Sequence, residues 1–522
     1  MSNTVAVAEK TGPSTFDSSQ VLENSSAFDV LRSAHVRVEK AVIRFFLWFD
    51  AAFKNSIAGR ILLSVLETGQ SWAQSSTAAT VFGWVMHLCL VPSGGTFEEG
   101  TFLGIVLVLG VLLPTEIQIL AFLLFLFAVL WRRSVKWERT HGGASCEHKD
   151  GRTTQGFRND NVLPILPFHL QLPFIILFLF VVGAAISSVV PQESMKNLIF
   201  WCIGGVVFLF AFDTSRKGGA ESIVWPVLAG AAVSSLVGIY QYFTGWQTPS
   251  AWVDIKFEDE LVRIVGTFTN PNYFAEMLGL ALPLALALLV RNKSLRDKSI
   301  LLLYSGLAAI ALVLTWSRGA WLGFMASFAL MAIFFDKRLL VLGLIVGVAV
   351  LAFAPSIVTE RLLSSFSFED SSNAYRVSVW RGSLALLRDH LFRGIGLGAI
   401  AFSEIYPEYM IIQTPSLHSH SLYIQMLIEL GFLGFVALAW FLLASVWYSL
   451  GSLRVVKGKG IERWTYTGIL VGCMSALAGH LIQGVIEYTW YNPQVMLTFW
   501  AWLGISAGIA AHLKKTHVDA IE

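Results

Sequence analysis

Long apolar runs separated by short polar, often basic, loops dominate this chain. Runs of about 20 apolar residues match the ~30 Å thickness of a bilayer's hydrocarbon core. We place spans near 100–114, 117–131, 172–191, 197–212, 222–243, 272–290, 299–316, 319–335, 339–356, 421–446, 464–486 and 493–512, about twelve in all. The first two are short and flank Pro114. Residues 1–40 are polar. The stretch 41–73 is amphipathic and punctuated by Arg44, Lys54 and Arg60, the pattern of helices lying on a membrane surface. The apolar stretch 78–91 is short and contains His87; it either spans or re-enters.

The loops fix sidedness. WRRSVKWERTHGGASCEHKDGR, SRKGG, RNKSLRDK, DKR, LRVVKGKGIER and the terminal AHLKK each follow an even-numbered span. Basic loops stay cytoplasmic, so both ends are expected in the cytoplasm. The opposite side carries 244–266, the turn 317–319, the long segment 357–420 and 487–492. Connections as long as 357–420 are usually functional, and VWRGSLALLRDHLF within it reads as a helix lying against the membrane. The expected organisation is an N-terminal tail with interfacial helices (1–95), nine spans (96–356), the external loop (357–420), and three spans with a short tail (421–522).

Composition sharpens this reading. Of 522 residues, 55% are hydrophobic and only 14% charged, against about 25% charged in a soluble domain; mean hydropathy is +0.64. A soluble enzyme, a disordered chain and a disulfide scaffold are excluded. The net charge of +2 is no nucleic-acid footprint. The four cysteines form no metal-binding spacing. The polar N-terminus lacks a cleavable-signal pattern, so the spans are expected to direct insertion.

The external side collects the unusual residues. Arg318 sits between two apolar runs joined by almost no loop, where a charge costs several kcal/mol unless paired or hydrated. It either snorkels to headgroups or faces an anion in an internal cavity. Arg263 and Arg376 on the same side favour the anion. Their planar forks suit a diphosphate. Arg381, Arg388 and Arg393 fit lipid headgroups better. His418 and His420 precede a span, and histidine is the usual base near neutral pH; an ordinary hydrogen-bonded pair is the alternative. H-x-H without a third ligand is poor evidence for zinc. Glu487 is placed to orient a histidine, bind substrate, or simply end a span. Asn270-Pro271-Asn272 opens a helix, leaving Asn272 to reach a polar ligand. Glu258, Asp259 and Glu260 read as a solvated loop face before a metal site. RGIGLGAIAF is not a dinucleotide fingerprint; its glycines suit a sharp turn. His480, inside a span, reads as a helix–helix contact.

Four stretches, RIVGTFTNPNYFAEML, TWSRGAWLGF, YRVSVWRGSLALLRDHLFRGIGLGAIAF and HSHSLYIQMLIELGFLGF, occur in order over 263–435. In them, and in its span layout, the chain resembles the O-antigen ligase and O-antigen polymerase superfamily of bacterial membrane glycosyltransferases. The resemblance implies an all-α polytopic fold like that of GT-C glycosyltransferases in the bacterial inner membrane, with the site facing the periplasm. It implies metal-independent, inverting transfer without a cofactor. The donor would be an undecaprenyl diphosphate-linked glycan and the acceptor a glycolipid or another glycan. The family's arginines correspond to Arg318 and Arg376, with Arg263 a weaker candidate. Its essential histidine stands in an H-N pair; here His420 precedes Ser421, so His418 and His420 both remain candidates, with His420 favoured. A ligase is preferred over a polymerase. A transporter is the alternative from another class, but would place ionisable residues at mid-membrane on broken helices.

Overall fold

The structure is a computed structural model. It describes residues 99–112, 119, 121–126, 129, 166–248, 262–291, 294–353, 371–411, 414–453 and 461–518. The interfacial helices, the stretch 78–91, the acidic cluster 258–260 and about half of the second expected span lie outside the described residues.

Among the described residues the regular structure is entirely helical. The helices are α1 (Glu99–Leu112), α2 (Phe168–Ile186), α3 (Pro191–Arg216), α4 (Ala220–Phe243), α5 (Pro271–Arg291), α6 (Leu295–Leu314), α7 (Arg318–Phe335), α8 (Arg338–Phe353), α9 (Ser371–His390), α10 (Ala399–Ile405), α11 (Leu422–Leu453), α12 (Ile461–Gln483) and α13 (Pro493–Val518). Nine of these (α2–α7 and α11–α13) are long and apolar enough to cross a membrane. The expected spans at 100–114 and 339–356 are the helices α1 and α8, of 14 and 16 residues. At 1.5 Å per residue they reach only about 21 and 24 Å. The span expected at 172–191 ends at Ile186, because Pro191 starts the next helix.

Local chemistry explains the boundaries. The Asn270 side chain accepts the Asn272 amide at 2.8 Å, and Asn492 accepts that of Val495 at 3.1 Å. Each thereby satisfies an N-terminal donor ahead of a helix that opens with proline. The Ser294 hydroxyl accepts the Asp297 amide in the same way at the start of α6.

The core is aromatic. Phe208, Phe441 and Trp500 interlock at centroid distances of 5.1 and 5.8 Å. The outer surface carries Leu302, Leu303, Leu344, Leu443 and Trp447, all exposed, as expected of lipid-facing helices. Short turns at 187–190, 315–317 and 484–492 lie at one end of the bundle, and basic residues such as Arg216, Lys217, Lys337 and Arg338 lie at the other.

Two features shape the site end. First, α7 and α12 cross backbone to backbone. A Cβ on Gly323 would come within 2.8 Å of the Gly479 carbonyl oxygen, the small-residue approach typical of membrane helices. Second, α11 breaks at Gly431 (φ 69°), and the glycine loop 394–398 docks on the break. The Ile395 amide donates to the Ile428 carbonyl (2.9 Å), and the Phe432 amide to that of Leu391 (2.6 Å). The loop thus satisfies backbone groups that the kink frees. Gly394, Gly396 and Gly398 all have positive φ, the sharp turn expected of these glycines.

The loop segment expected to carry a surface helix forms α9. Its Val379 and Leu386 are covered by Phe402, Tyr406 and Ile428, while Leu384 and nearby Phe392 stay exposed. Protein, rather than lipid, therefore covers the central stripe of its apolar face.

Candidate functional site

A cleft of about 560 Å³ opens at the site end. It is lined by Arg263, Asn272, Arg318, Arg376, Gln483 and Glu487, with Trp316, Ser317 and Asn373 among the remaining residues. Among the described residues that line it, three guanidinium groups accompany one carboxylate. Helix termini add to this field. Arg318 is the first residue of α7 and Asn272 the second of α5, so the positive ends of two helix dipoles meet here. A buried arginine at a helix N-terminus breaks the charge rule for helices, and no acid accompanies it in the first turn. An anion in the cleft satisfies both the dipoles and the guanidinium groups.

Backbone strain concentrates at the same place. Among the described residues only Trp316 (φ 55°) and His420 (φ 50°) are non-glycine residues in the left-handed region. Such conformations cost about 1–3 kcal/mol each and cluster at functional sites. The Trp316 strain turns the chain directly into Arg318; that of His420 aims its imidazole at the cleft wall.

Glu487 is the node. Its Oε1 lies 3.3 Å from His420 Nδ1. Its Oε2 accepts from Arg376 (3.2 Å) and from Asn272 Nδ2 (3.0 Å). Burial alone would raise its pKa. The His420 hydrogen bond and the charges of His420, Arg376 and His418 outweigh that, so the carboxyl is held well below the usual carboxylate range. An ionised Glu487 fixes the His420 tautomer with the proton on Nδ1, which leaves Nε2 as the basic edge. The Trp380 indole donates to the His420 carbonyl at 3.3 Å, tying α9 to this residue. His418 plays another part. Its Nδ1 accepts the His420 backbone amide at 3.2 Å. Burial, then repulsion from His420, pushes its pKa down to about 3, so at neutral pH His418 is uncharged.

The structure therefore gathers all seven residues singled out from the sequence, but two change character. Asn272 is not free for a ligand: its Oδ1 accepts from Arg263 (2.9 Å) while its Nδ2 holds Glu487. Glu487, expected to bind substrate or orient a histidine, contacts His420 and Arg376. Arg263 also donates to the Thr315 carbonyl at 3.0 Å, bracing the turn before Arg318.

The third ligand that H-x-H lacked in sequence is present. Ligand atoms of His418, His420 and Glu487 lie within 4.8 Å of one another, close enough to hold a metal ion. Arg376 already occupies one oxygen of that carboxylate, and a cation would enter the field of three guanidinium groups.

Below the cleft, His480 Nδ1 lies 2.6 Å from Glu276 Oε1, and the Trp490 indole donates to His480 Nε2 at 2.9 Å. This buried triad links α5, α12 and the segment bearing Glu487, so His480 is the helix–helix contact expected of it. Its partner Glu276 escaped the sequence reading, although an acid within an apolar run is a visible flag. Gln483, also missed, lies one turn before Glu487.

Fold and site define a polytopic all-helical membrane protein with a cationic cleft at one end. Residues 303–439 match the family model described as O-Antigen ligase. The match takes in Arg318, Arg376, His418 and His420; Arg263, Asn272 and Glu487 lie outside it. No curated protein gives a match to the chain.

Proposed function

We propose that this protein transfers a glycan from an undecaprenyl diphosphate carrier to an acceptor hydroxyl at the outer face of the bacterial inner membrane, acting as an O-antigen ligase. The observation that carries the reading is a cleft lined by three arginines and Glu487, whose carboxylate lies 3.3 Å from His420 Nδ1. The basic residues at the opposite end of the bundle support the orientation by the positive-inside rule.

In this mechanism the acceptor oxygen attacks the sugar C1 from the face opposite the diphosphate. The C1–O bond to phosphate breaks, the lipid diphosphate leaves with the electron pair, and C1 inverts. His420 Nε2 takes the acceptor proton as the new bond forms. Glu487 stabilises the imidazolium. Arg318 and Arg376 stabilise the charge developing on the diphosphate, with Arg263 bracing the turn and adding to the field. These cations do the work of a divalent metal. His418 stays neutral and buttresses the His420 backbone.

The test is transfer in liposomes from an undecaprenyl diphosphate-linked glycan to a lipid A-core acceptor, comparing wild type with folded His420→Ala, His418→Ala and Arg318→Ala. Loss in His420→Ala and Arg318→Ala is expected, with activity kept in chelator. Activity that vanishes with chelator and returns with a divalent ion would hand His418, His420 and Glu487 to a metal. Transfer onto a second carrier-linked glycan instead of the core would make it a polymerase. Solute flux without transfer would sink the enzyme reading.

A further inference from the structure

The segment 487–491 is a wall with a cavity on each side. Glu487 lines the arginine cleft, while its neighbour Tyr488 lines a second cavity of about 310 Å³. That cavity is bounded by Asn197, Trp201, Glu429, Tyr488, Trp490 and Tyr491, with Phe200 and Met496 also at its surface. Its volume falls within the roughly 300–1,000 Å³ of small-molecule sites.

Its lining has two kinds of surface. Trp201 and Trp490 meet edge to face at 5.7 Å, and Tyr488 and Tyr491 at 4.5 Å, so flat apolar faces bound it. Two polar side chains keep open valences. Glu429 Oε1 accepts from the Tyr491 hydroxyl (2.7 Å) and from Gln425 (2.9 Å), while Oε2 accepts only the Gly398 amide (3.1 Å). A carboxylate has about four acceptor positions, so one on Oε2 remains. Asn197 donates to the Glu193 carbonyl at 3.0 Å, and its Oδ1 has no partner among the described residues. A prenyl chain offers nothing to a buried carboxylate. A pyranose ring offers an apolar C–H face for aromatic stacking and a rim of hydroxyls that donate to carboxylate and amide oxygens.

The location selects which sugar. The His418 ring lies 5.8 Å from that of Tyr488, 6.0 Å from Tyr491 and 4.2 Å from His420. The two histidines therefore stand between the cavities, with diphosphate chemistry on one side and sugar chemistry on the other. We propose that the Trp201–Glu429–Tyr491 cavity binds a pyranose ring of the acceptor glycan and brings its hydroxyl towards the histidine pair. The assignment of acceptor over donor rests on the transferase reading above; the assignment of a sugar does not.

The experiment has two arms. In the first, saturation-transfer NMR is recorded on the full chain in lipid nanodiscs with methyl glucoside, methyl galactoside, methyl mannoside and N-acetylglucosamine. Ring protons of at least one are expected to saturate. Asn197→Ala and Phe200→Ala should weaken binding about fivefold, the worth of roughly one hydrogen bond or one apolar contact. Arg318→Ala should leave it unchanged. Absence of saturation with every glycoside, equal binding in both cavity variants, or displacement by a prenyl alcohol would overturn the sugar assignment. This arm needs no catalytic activity, so it fails independently of the transferase reading. In the second arm, Asn197→Ala should raise KM for the acceptor with kcat and the donor KM little changed. A raised donor KM with the acceptor KM unchanged would overturn the acceptor assignment.

Discussion

Glu487→Gln isolates the charge on which the proposed mechanism depends. The amide has the shape of the carboxylate and can still accept from Asn272 and Arg376, which lie 3.0 and 3.2 Å away. What it lacks is the negative charge 3.3 Å from His420 Nδ1. When His420 takes the acceptor proton, the imidazolium and carboxylate attract by about 5 kcal/mol at an effective dielectric of about 20. Each 1.36 kcal/mol added to the barrier is about tenfold in rate, so kcat should fall by between about three and four orders of magnitude. The donor KM should stay constant or drop, because the carboxylate's repulsion of a diphosphate is gone. Transfer in liposomes at saturating acceptor, with donor titrated, measures both constants. A melting temperature near wild type shows that the variant is folded. A merely structural role for Glu487 would raise KM and lower the melting temperature together. A folded variant with kcat within about tenfold of wild type would refute a Glu487-dependent base.

Other perturbations read other parts of the site. Arg318→Lys keeps the charge but not the planar fork, and donor kcat/KM should fall about a hundredfold; near-wild-type transfer would reduce Arg318 to a point charge. His418 is protonated more readily in the unfolded chain (near 6.5) than in the fold (about 3). Stability should therefore fall as pH drops from about 6.5 towards 3, by up to about 1.4 kcal/mol per unit. A folded His418→Gln variant should lose that slope between pH 4.5 and 6.5, read from melting temperature against pH, and an unchanged slope would place the effect elsewhere. Gly479→Val would drive its side chain into Ser327 and the Gly323 backbone. It should cost about 1–3 kcal/mol by overpacking and reduce transfer by separating Arg318 from Glu487. Unaltered stability would show that α7 and α12 can part freely.

Much of the fold was legible because bilayer thickness imposes length on apolar runs, and the positions of α2–α7 and α11–α13 follow from that alone. Pro191 misled the boundary of α2 because a proline in a hydrophobic run reads equally as an end or a beginning. The break at Gly431 was invisible: IELGFLGF has the texture of an ordinary membrane helix, and only the docked loop 394–398, brought from some 35 residues upstream, shows why the helix yields there. The site was legible wherever a residue offended its surroundings, as with Arg318 at a membrane boundary and the histidines before a span. The side of the membrane then brought them together. Partnerships across long separations were not. Nothing local says that Asn272 spends both ends of its amide on Arg263 and Glu487, or that Glu276 meets His480 204 positions away.

The residues that break local rules point to a common cause. Arg318 puts a cation on the wrong end of a helix, where an acid would gain about 0.3–1 kcal/mol. Trp316 and His420 hold conformations that glycine would adopt without strain. Glu487 is a buried carboxylate, and a single charge in that position survives only because three neighbours bind it. Each of these is unfavourable for folding taken alone, and sequences selected for stability alone remove such conflicts. They fall within one cleft and its wall, where two helix N-termini and three guanidinium groups meet one carboxylate among the described residues, itself turned towards a histidine. A cleft built in this way suits an anion, with His420 held beside it by Glu487. That arrangement fits a reaction in which a diphosphate departs while a neighbouring hydroxyl loses its proton.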